Sequence, residues 1–215
     1  MKIFAVITAY NEEKTICEVV ERTKKFVDRV VVVDDGSVDS TASLASKVGA
    51  TVLKHRINLG VGAALKTGFI YSRERCDAIV TLDADAQHNP EEIPKLLKAL
   101  NDSEIVLGSR DFRCMPFHKK IGNYIINLLS FLLFGIRLSD TQTGFRAIKV
   151  GAYDTIEWKS RDYSALLEML VNAKKRKVKV KEVKVSTIYN DIYKGTTLVD
   201  GVKILINMLC WRFIR

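Results

Sequence analysis

The chain has 215 residues, 47% of them hydrophobic and 27% charged, with only 3 Pro and 12 Gly; this suits one domain with a substantial core and excludes long disordered segments. Four cysteines, Cys17, Cys76, Cys114 and Cys210, are scattered with no Cys-x-x-Cys pair, which argues against a cysteine zinc site or a disulfide framework and predicts a reducing compartment. The net charge of +9 is uneven, with 11 Lys+Arg against 3 Asp+Glu from Val171 onward and 23 against 22 before it, so the last part of the chain either attracts something anionic, membrane surface or nucleic acid, or forms a solvated face.

Lys2 to Ala9 is an apolar run that predicts a buried strand, with no charged-then-apolar leader before it, so no cleaved signal peptide is expected. Tyr10-Asn11-Glu12-Glu13 forms its exit, and Asn11 is placed to cap a helix from about Glu12 to Phe26, with Ile16, Val19, Val20 and Val27 on one face. Arg29 to Val33 predicts a second strand, parallel and covered on both sides because its residues are β-branched, ending in Asp34-Asp35, a turn glycine Gly36 and a capping Ser37. A helix to about Val48, a strand Thr51 to Leu53 and a helix from about Gly62 to Arg75 lead to the strand Ala78-Ile79-Val80. Strands alternating with helices predict right-handed crossovers and a doubly wound, mainly parallel sheet. Asn89-Pro90-Glu91-Glu92 reads as the start of a helix reaching Leu100, with Asn at the cap and Pro in the first turn. Glu104 to Ser109 predicts a further strand with Arg110 at its exit.

The strand at Val80 runs out into Thr81-Leu82-Asp83-Ala84-Asp85-Ala86-Gln87, and in open α/β sheets such carboxyl ends are where ligands bind. Two carboxylates side by side repel, and a divalent ion held by hard oxygen ligands resolves the repulsion. Asp83 and Asp85 lie two apart and Gln87 continues the period, so the three can face one spot. Tyr10-Asn11-Glu12, Asp34-Asp35 and Asp83-Ala84-Asp85 are all strand exits, and parallel strands bring them to one edge. Any one of them can be an ordinary turn; their convergence is the stronger signal.

Beyond Arg110 the pattern changes. Ile121 to Leu138 is strongly apolar and nearly long enough to span a bilayer, yet Asn123, Asn127, Ser130 and Gly135 interrupt it and Arg137 falls near its end. A helix in a membrane interface or packed on another subunit fits better than a spanning one, with an ordinary core helix as the alternative. Asp140 to Arg146 is a polar loop, and Tyr163 to Lys175 a helix that includes Glu168. Lys177 to Val185 alternates lysine and valine, as an edge strand with one wet face does. The last stretch, Val202 to Arg215, is apolar nearly all round with Trp211 and Arg212 near its end, which suits a membrane interface and equally a helix completing the core.

In order, Ala9-Tyr10-Asn11-Glu12, Val33-Asp34-Asp35-Gly36-Ser37, Asn58-Leu59-Gly60, Asp83-Ala84-Asp85-Ala86-Gln87, Gly108-Ser109-Arg110 and Asp140 to Arg146 resemble the inverting nucleotide-sugar glycosyltransferases of family 2, most of all those that act on dolichyl or other polyprenyl phosphates. The resemblance implies the GT-A fold, a Rossmann-like α/β architecture with a mainly parallel central sheet flanked by helices. It implies one catalytic domain over 1–215, with 118–138 and 200–215 as membrane-interface or subunit-interface helices. Tyr10, Glu12 and Asp34 would hold the base and ribose of the donor, with Ala9, Asp35, Asn58, Gly60 and Ala84 around the nucleotide. Asp83, Asp85 and Gln87 would surround a Mg2+ or Mn2+ ion and the diphosphate, Asp85 as principal ligand. Arg110 would reach the donor phosphates, and the loop from Asp140 to Arg146 would shape the sugar or acceptor-phosphate pocket.

The expected reaction moves a hexose from GDP-mannose or UDP-glucose to a polyprenyl or dolichyl phosphate, at the cytoplasmic face of a membrane to which the protein is peripherally bound. A hydroxyl acceptor would instead require a general base, with Glu168 or Asp140 as the candidates. The chain departs from the family pattern where an Arg-x-x-Gly-Ser-Lys-like segment is expected and Tyr189 to Thr197 stands, with Lys194 as the substitute for the missing arginine. Homo-oligomers are compatible with this reading. Nucleic acid is not an expected partner, because no reading helix or stacking surface accompanies the basic tail. A phosphatase using Asp-x-Asp would carry it on the first strand followed by Thr, and a dinucleotide-binding dehydrogenase would carry Gly-x-Gly-x-x-Gly where Tyr10-Asn11-Glu12 stands.

Overall fold

The computed structural model describes residues 1–111, 117–186 and 197–214. Its strands are β1 Ile3–Ala9, β2 Arg29–Asp34, β3 Thr51–Lys54, β4 Ala78–Asp83, β5 Ile105–Arg110, β6 Arg146–Lys149 and β7 Val180–Val185. Its helices are α1 Ile16–Thr23, α2 Thr41–Lys47, α3 Val61–Ser72, α4 Ile93–Leu100, α5 Phe117–Phe134, α6 Tyr153–Ile156, α7 Ser164–Lys175 and α8 Leu198–Phe213. The strands form one seven-stranded sheet in the order β3-β2-β1-β4-β6-β5-β7.

The β-branched strands are covered on both faces, as their composition demands. Phe4, Val6, Val31, Val33 and Ile79 point into one core layer, and Ala5, Ile7, Val30, Val32 and Val80 into the other. The sheet is not wholly parallel. β6 runs antiparallel between β4 and β5, where the sequence showed only a polar loop. Four residues with a charge at each end, Arg146-Ala147-Ile148-Lys149, carry too little periodicity to announce a strand. Because β6 reverses direction twice over, β4 and β5 still point the same way. β7 pairs parallel with β5 and forms the edge the alternating lysines suggested.

Three expected caps are replaced by longer-range bonds. α1 begins after Thr15 rather than Asn11. Asn11 takes a left-handed backbone (φ 55°), its side-chain oxygen accepts from Val38 N and its own N–H donates to Ser37 Oγ. The exits of β1 and β2 are thereby tied together, and Ser37 is used there instead of capping α2, which starts after Ser40. Pro90 opens the helical segment as expected, in a 3-10 turn, but Asn89 makes no capping bond and accepts from Arg22 Nη2 at 2.7 Å.

α5 turns polar residues inward alongside apolar ones: Ile126 is buried, and Leu129, Leu133 and Phe134 pack against the core. Asn127 accepts from Thr141 N and Oγ1 and donates to Ser139 O, and Asn123 is buried beside Asp140. Tyr124, Leu128, Phe131 and Leu132 are exposed instead, Tyr124 and Leu132 by 68% and 64%. α8 packs on α5 and presents Val202, Ile206, Leu209 and Phe213 to the outside while Ile204, Met208 and Trp211 enter the core. No helix among the described residues is long and apolar enough to cross a membrane.

Candidate active site

Strand register gathers the exits. Ala9 lies opposite Asp34 and Thr8 opposite Asp83, and the chains are joined just past the ladder, Asp35 N to Ala9 O at 2.8 Å and Ala84 N to Thr8 O at 3.1 Å. Beyond this edge lies a cleft of ≈ 450 Å³. Of the residues singled out from sequence, Ala9, Tyr10, Glu12, Asp35, Asn58, Gly60, Asp83, Ala84, Asp85, Gln87 and Arg110 line it.

The Asp83 to His88 loop is held from several directions. Asp85 Oδ1 accepts from Gln87 N at 3.0 Å, closing a tight turn in which Ala86 adopts φ 60°. That conformation is costly for a residue with a side chain and is found where structure around it enforces it. Asp83 N donates to His88 Nδ1 at 3.2 Å, so in the neutral ring the proton sits on Nε2, 3.8 Å from the Asp83 carboxylate. The His88 ring stacks on Phe145, centroids 5.4 Å apart. Gly144 presses against the same carboxylate: a Cβ there would lie 2.7 Å from Asp83 Oδ2. Opposite stands Tyr163. Its burial, then the negative charges of Asp83, Asp200, Asp85 and Glu12, hold its phenol protonated well above the ordinary range.

Asp35 organises the loop that follows β3. Its carboxylate accepts from Leu59 N at 2.9 Å and Gly60 N at 2.8 Å, and His55 Nδ1 lies 2.7 Å from it. Gly60 (φ 96°) is pressed onto Arg161 O, where a Cβ would come within 2.4 Å, so only glycine fits both the turn and the approach. Asp34, adjacent in sequence, is not in the cleft. It is fully buried, accepts from Ser37 N and lies 3.4 Å from Lys54 Nζ.

At the exit of β5, Arg110 is clamped by Asp140 through two bonds, Nε to Oδ2 at 2.6 Å and Nη2 to Oδ1 at 2.8 Å. Burial alone would raise the Asp140 pKa, but the Arg110 charge and its hydrogen bonds hold it below the usual carboxylate value. Asp140, Arg146 and Glu168 do not line the cleft. Arg146 is buried with its guanidinium donating to the carbonyls of Thr141, Thr143 and Leu166, and burial lowers its pKa to about 10. Glu168 is buried and accepts from Lys159 N, Ser160 N and Ser160 Oγ. These three shape the walls from behind. Lys194 and residues 189–196 lie outside the described residues.

Gln142 and Gly144, from the Asp140 to Arg146 loop, line the cleft, and so do His88, Asp162, Tyr163, Asp200 and Lys203, which were not singled out as site residues from sequence. His88 had the best signal, three residues after Asp85 in the same loop. The others come from turns and helices whose positions depend on tertiary packing.

Asp83 and Asp85 offer hard oxygen donors suited to Mg2+ or Mn2+, ions that use one or two carboxylates together with substrate phosphates. Among the described residues no group of three or more His, Cys, Asp or Glu is placed to hold a metal ion. Gln87 Nε2, in the same loop, is buried with no hydrogen-bond partner, a donor positioned in a site that lacks its acceptor. The residues fit the ion.

A family model described as "Glycosyl transferase family 2" matches residues 4–156. The UDP-N-acetylglucosamine–dolichyl-phosphate N-acetylglucosaminyltransferase of Methanococcus voltae is 35% identical over 96% of this chain and 94% of its own length. The dolichol-phosphate mannosyltransferase of Pyrococcus furiosus is 32% identical over 83% of this chain but 54% of its own length, so the chain spans about half of that relative. Among solved structures, glucosyl-3-phosphoglycerate synthase from Mycobacterium tuberculosis, in complex with Mn2+, uridine diphosphate and phosphoglyceric acid, superposes with a TM-score of 0.80 over 98% of this chain and 78% of its own. At 19% identity that likeness is one of fold.

Proposed function

The chain belongs to glycosyl transferase family 2, and on that premise we propose that it moves a hexose from a nucleotide-diphosphate sugar to the phosphate of a polyprenyl lipid at a membrane surface, inverting the anomeric centre. The observation that carries this reading is the state of the cleft's carboxylates. The two candidate bases for a hydroxyl acceptor, Asp140 and Glu168, are buried behind the walls and engaged, one by Arg110 and one by Lys159 N, Ser160 N and Ser160 Oγ. Of the acids that do line the cleft, Asp35, Asp162 and Asp200 each accept from a backbone N–H, and Glu12 accepts from Thr15 Oγ1. A lipid phosphate is already ionised at neutral pH and attacks without a base.

In this scheme an oxygen of the lipid phosphate forms a bond to the sugar's C1 while the bond from C1 to the nucleoside diphosphate breaks. The products are a sugar phosphodiester and the free nucleotide. Tyr10, Glu12, Asp35, Asn58 and Gly60 bind the nucleoside end of the donor. Asp83 and Asp85 would hold the metal ion, which when bound would offset the charge that accumulates on the departing diphosphate. Gln87 donates to a diphosphate oxygen, and Arg110, its plane fixed by Asp140, faces the same charge. The exposed apolar faces of α5 and α8 rest on an anionic lipid surface, and the exposed Lys120 and Arg212 on these helices and Arg137 just after α5 favour it.

The test is transfer of label to the organic phase by purified protein with Mn2+ or Mg2+, polyprenyl phosphate in liposomes, and UDP-N-acetylglucosamine, UDP-glucose and GDP-mannose in parallel. The expected outcome is label extracted with one donor and reduced at least about a hundredfold in Asp85→Asn. Nucleotide binding without lipid-phase label for any donor would refute the lipid acceptor.

A further inference from the structure

The cleft is acidic where its acceptor is anionic. Among the described residues that line it, six carry carboxylates, while Arg110 and Lys203 are the lysine and arginine side chains. Arg110 is engaged by Asp140. A phosphate monoester entering beside that many carboxylates needs a cation of its own.

Lys203 is placed to supply it. It sits in the second turn of α8, one turn after Asp200. The Asp200 carboxylate is used in the helix's own capping box, accepting from Thr197 N at 2.9 Å and from Thr197 Oγ1 at 2.7 Å. The Lys203 ammonium makes no ion pair or hydrogen bond with any described residue. Its neighbours Val202 and Ile206 belong to the exposed apolar face, Val202 by 56% and Ile206 by 55%. One helix therefore joins the apolar surface to the cleft, and a lipid chain lying along that surface delivers its headgroup to the position of Lys203.

We propose that Lys203 binds the phosphate monoester of the acceptor and positions it for attack, so that α8 is the element linking the lipid surface to the reaction. The inference rests on the transfer reading above. Phosphate also enters on the donor, as a diphosphate, and the two sources are separated by side. The donor's end of the cleft is built from the exits of β1, β2 and β4, whereas Lys203 belongs to the helix that carries the apolar face.

Steady-state transfer by the full chain is measured for wild type, Lys203→Ala and Lys203→Arg, with a short water-soluble prenyl phosphate as acceptor so that surface docking does not enter. Binding of the nucleoside diphosphate with Mn2+ is measured by calorimetry on the same three proteins. The expected result for Lys203→Ala is an acceptor KM raised about tenfold or more, with donor KM and nucleotide affinity within about twofold of wild type, and substantial recovery in Lys203→Arg. An unchanged acceptor KM overturns the proposal. So does an equal loss in nucleotide affinity, which would assign Lys203 to the donor. If the wild type itself transfers nothing to a prenyl phosphate, the reading beneath fails and this inference falls with it; transfer by wild type with an unaltered Lys203→Ala removes the inference alone.

Discussion

Asp34 and Asp35 show how far a residue's place can be read from its neighbours. Both end the same strand and both looked like donor ligands, but successive side chains point to opposite faces. Asp34 turns into the protein beside Ser37 and Lys54, and Asp35 turns to the cleft and anchors Leu59 and Gly60. Asp83 and Asp85 both line the cleft, although Asp85 stands in the turn after β4 and not on the strand, so the spacing of two alone does not account for it. Asp140 stood out in the sequence as a candidate base, but nothing there pairs it with Arg110 thirty residues away. That pair makes a prediction about stability. The Asp140 pKa is depressed in the folded protein, so the pair's contribution is present above the ordinary carboxylate value of ~4 and is lost as pH falls through the lower folded value. Asp140→Asn should cost roughly 3 kcal/mol in urea unfolding at pH 7. The gap to wild type should hold from pH 5 to 8 and close in stronger acid; a gap that persisted undiminished at pH 2 would assign the loss to packing.

At the scale of elements, the first half of the chain was readable strand by strand because buried parallel strands are near-continuous apolar runs. β6 was not, being four residues long and stabilised by its two neighbours. The apolar run from Ile121 to Leu138 is helical only as far as Phe134, and its interruptions have a reason that only packing reveals: Asn123 and Asn127 serve the loop at 139–141, while Tyr124, Leu128, Phe131 and Leu132 stay outside. α5 and α8 together then present a face that water does not favour. If this face rests on lipid, Leu132→Ser combined with Ile206→Ser should weaken co-sedimentation with anionic vesicles by about tenfold or more, from the apolar area withdrawn. Binding of nucleotide should not change. Undiminished vesicle binding together with loss of self-association would make the face a contact between copies of the chain.

For the molecule as a whole, charge and shape divide the work. The sheet edge collects carboxylates from strand exits far apart in sequence, and the basic excess lies in the last fifth of the chain, which includes β7 and α8. An acidic cleft suits a cation and its diphosphate; a basic, apolar flank suits an anionic lipid. In the proposed reaction a phosphate oxygen, not a hydroxyl, receives the sugar. Phosphorus NMR of the reaction with a short prenyl phosphate tests it most directly. The acceptor's monoester resonance should disappear and a phosphodiester resonance grow in step with release of nucleoside diphosphate, one for one. Release of nucleotide with the monoester resonance unchanged would contradict the account.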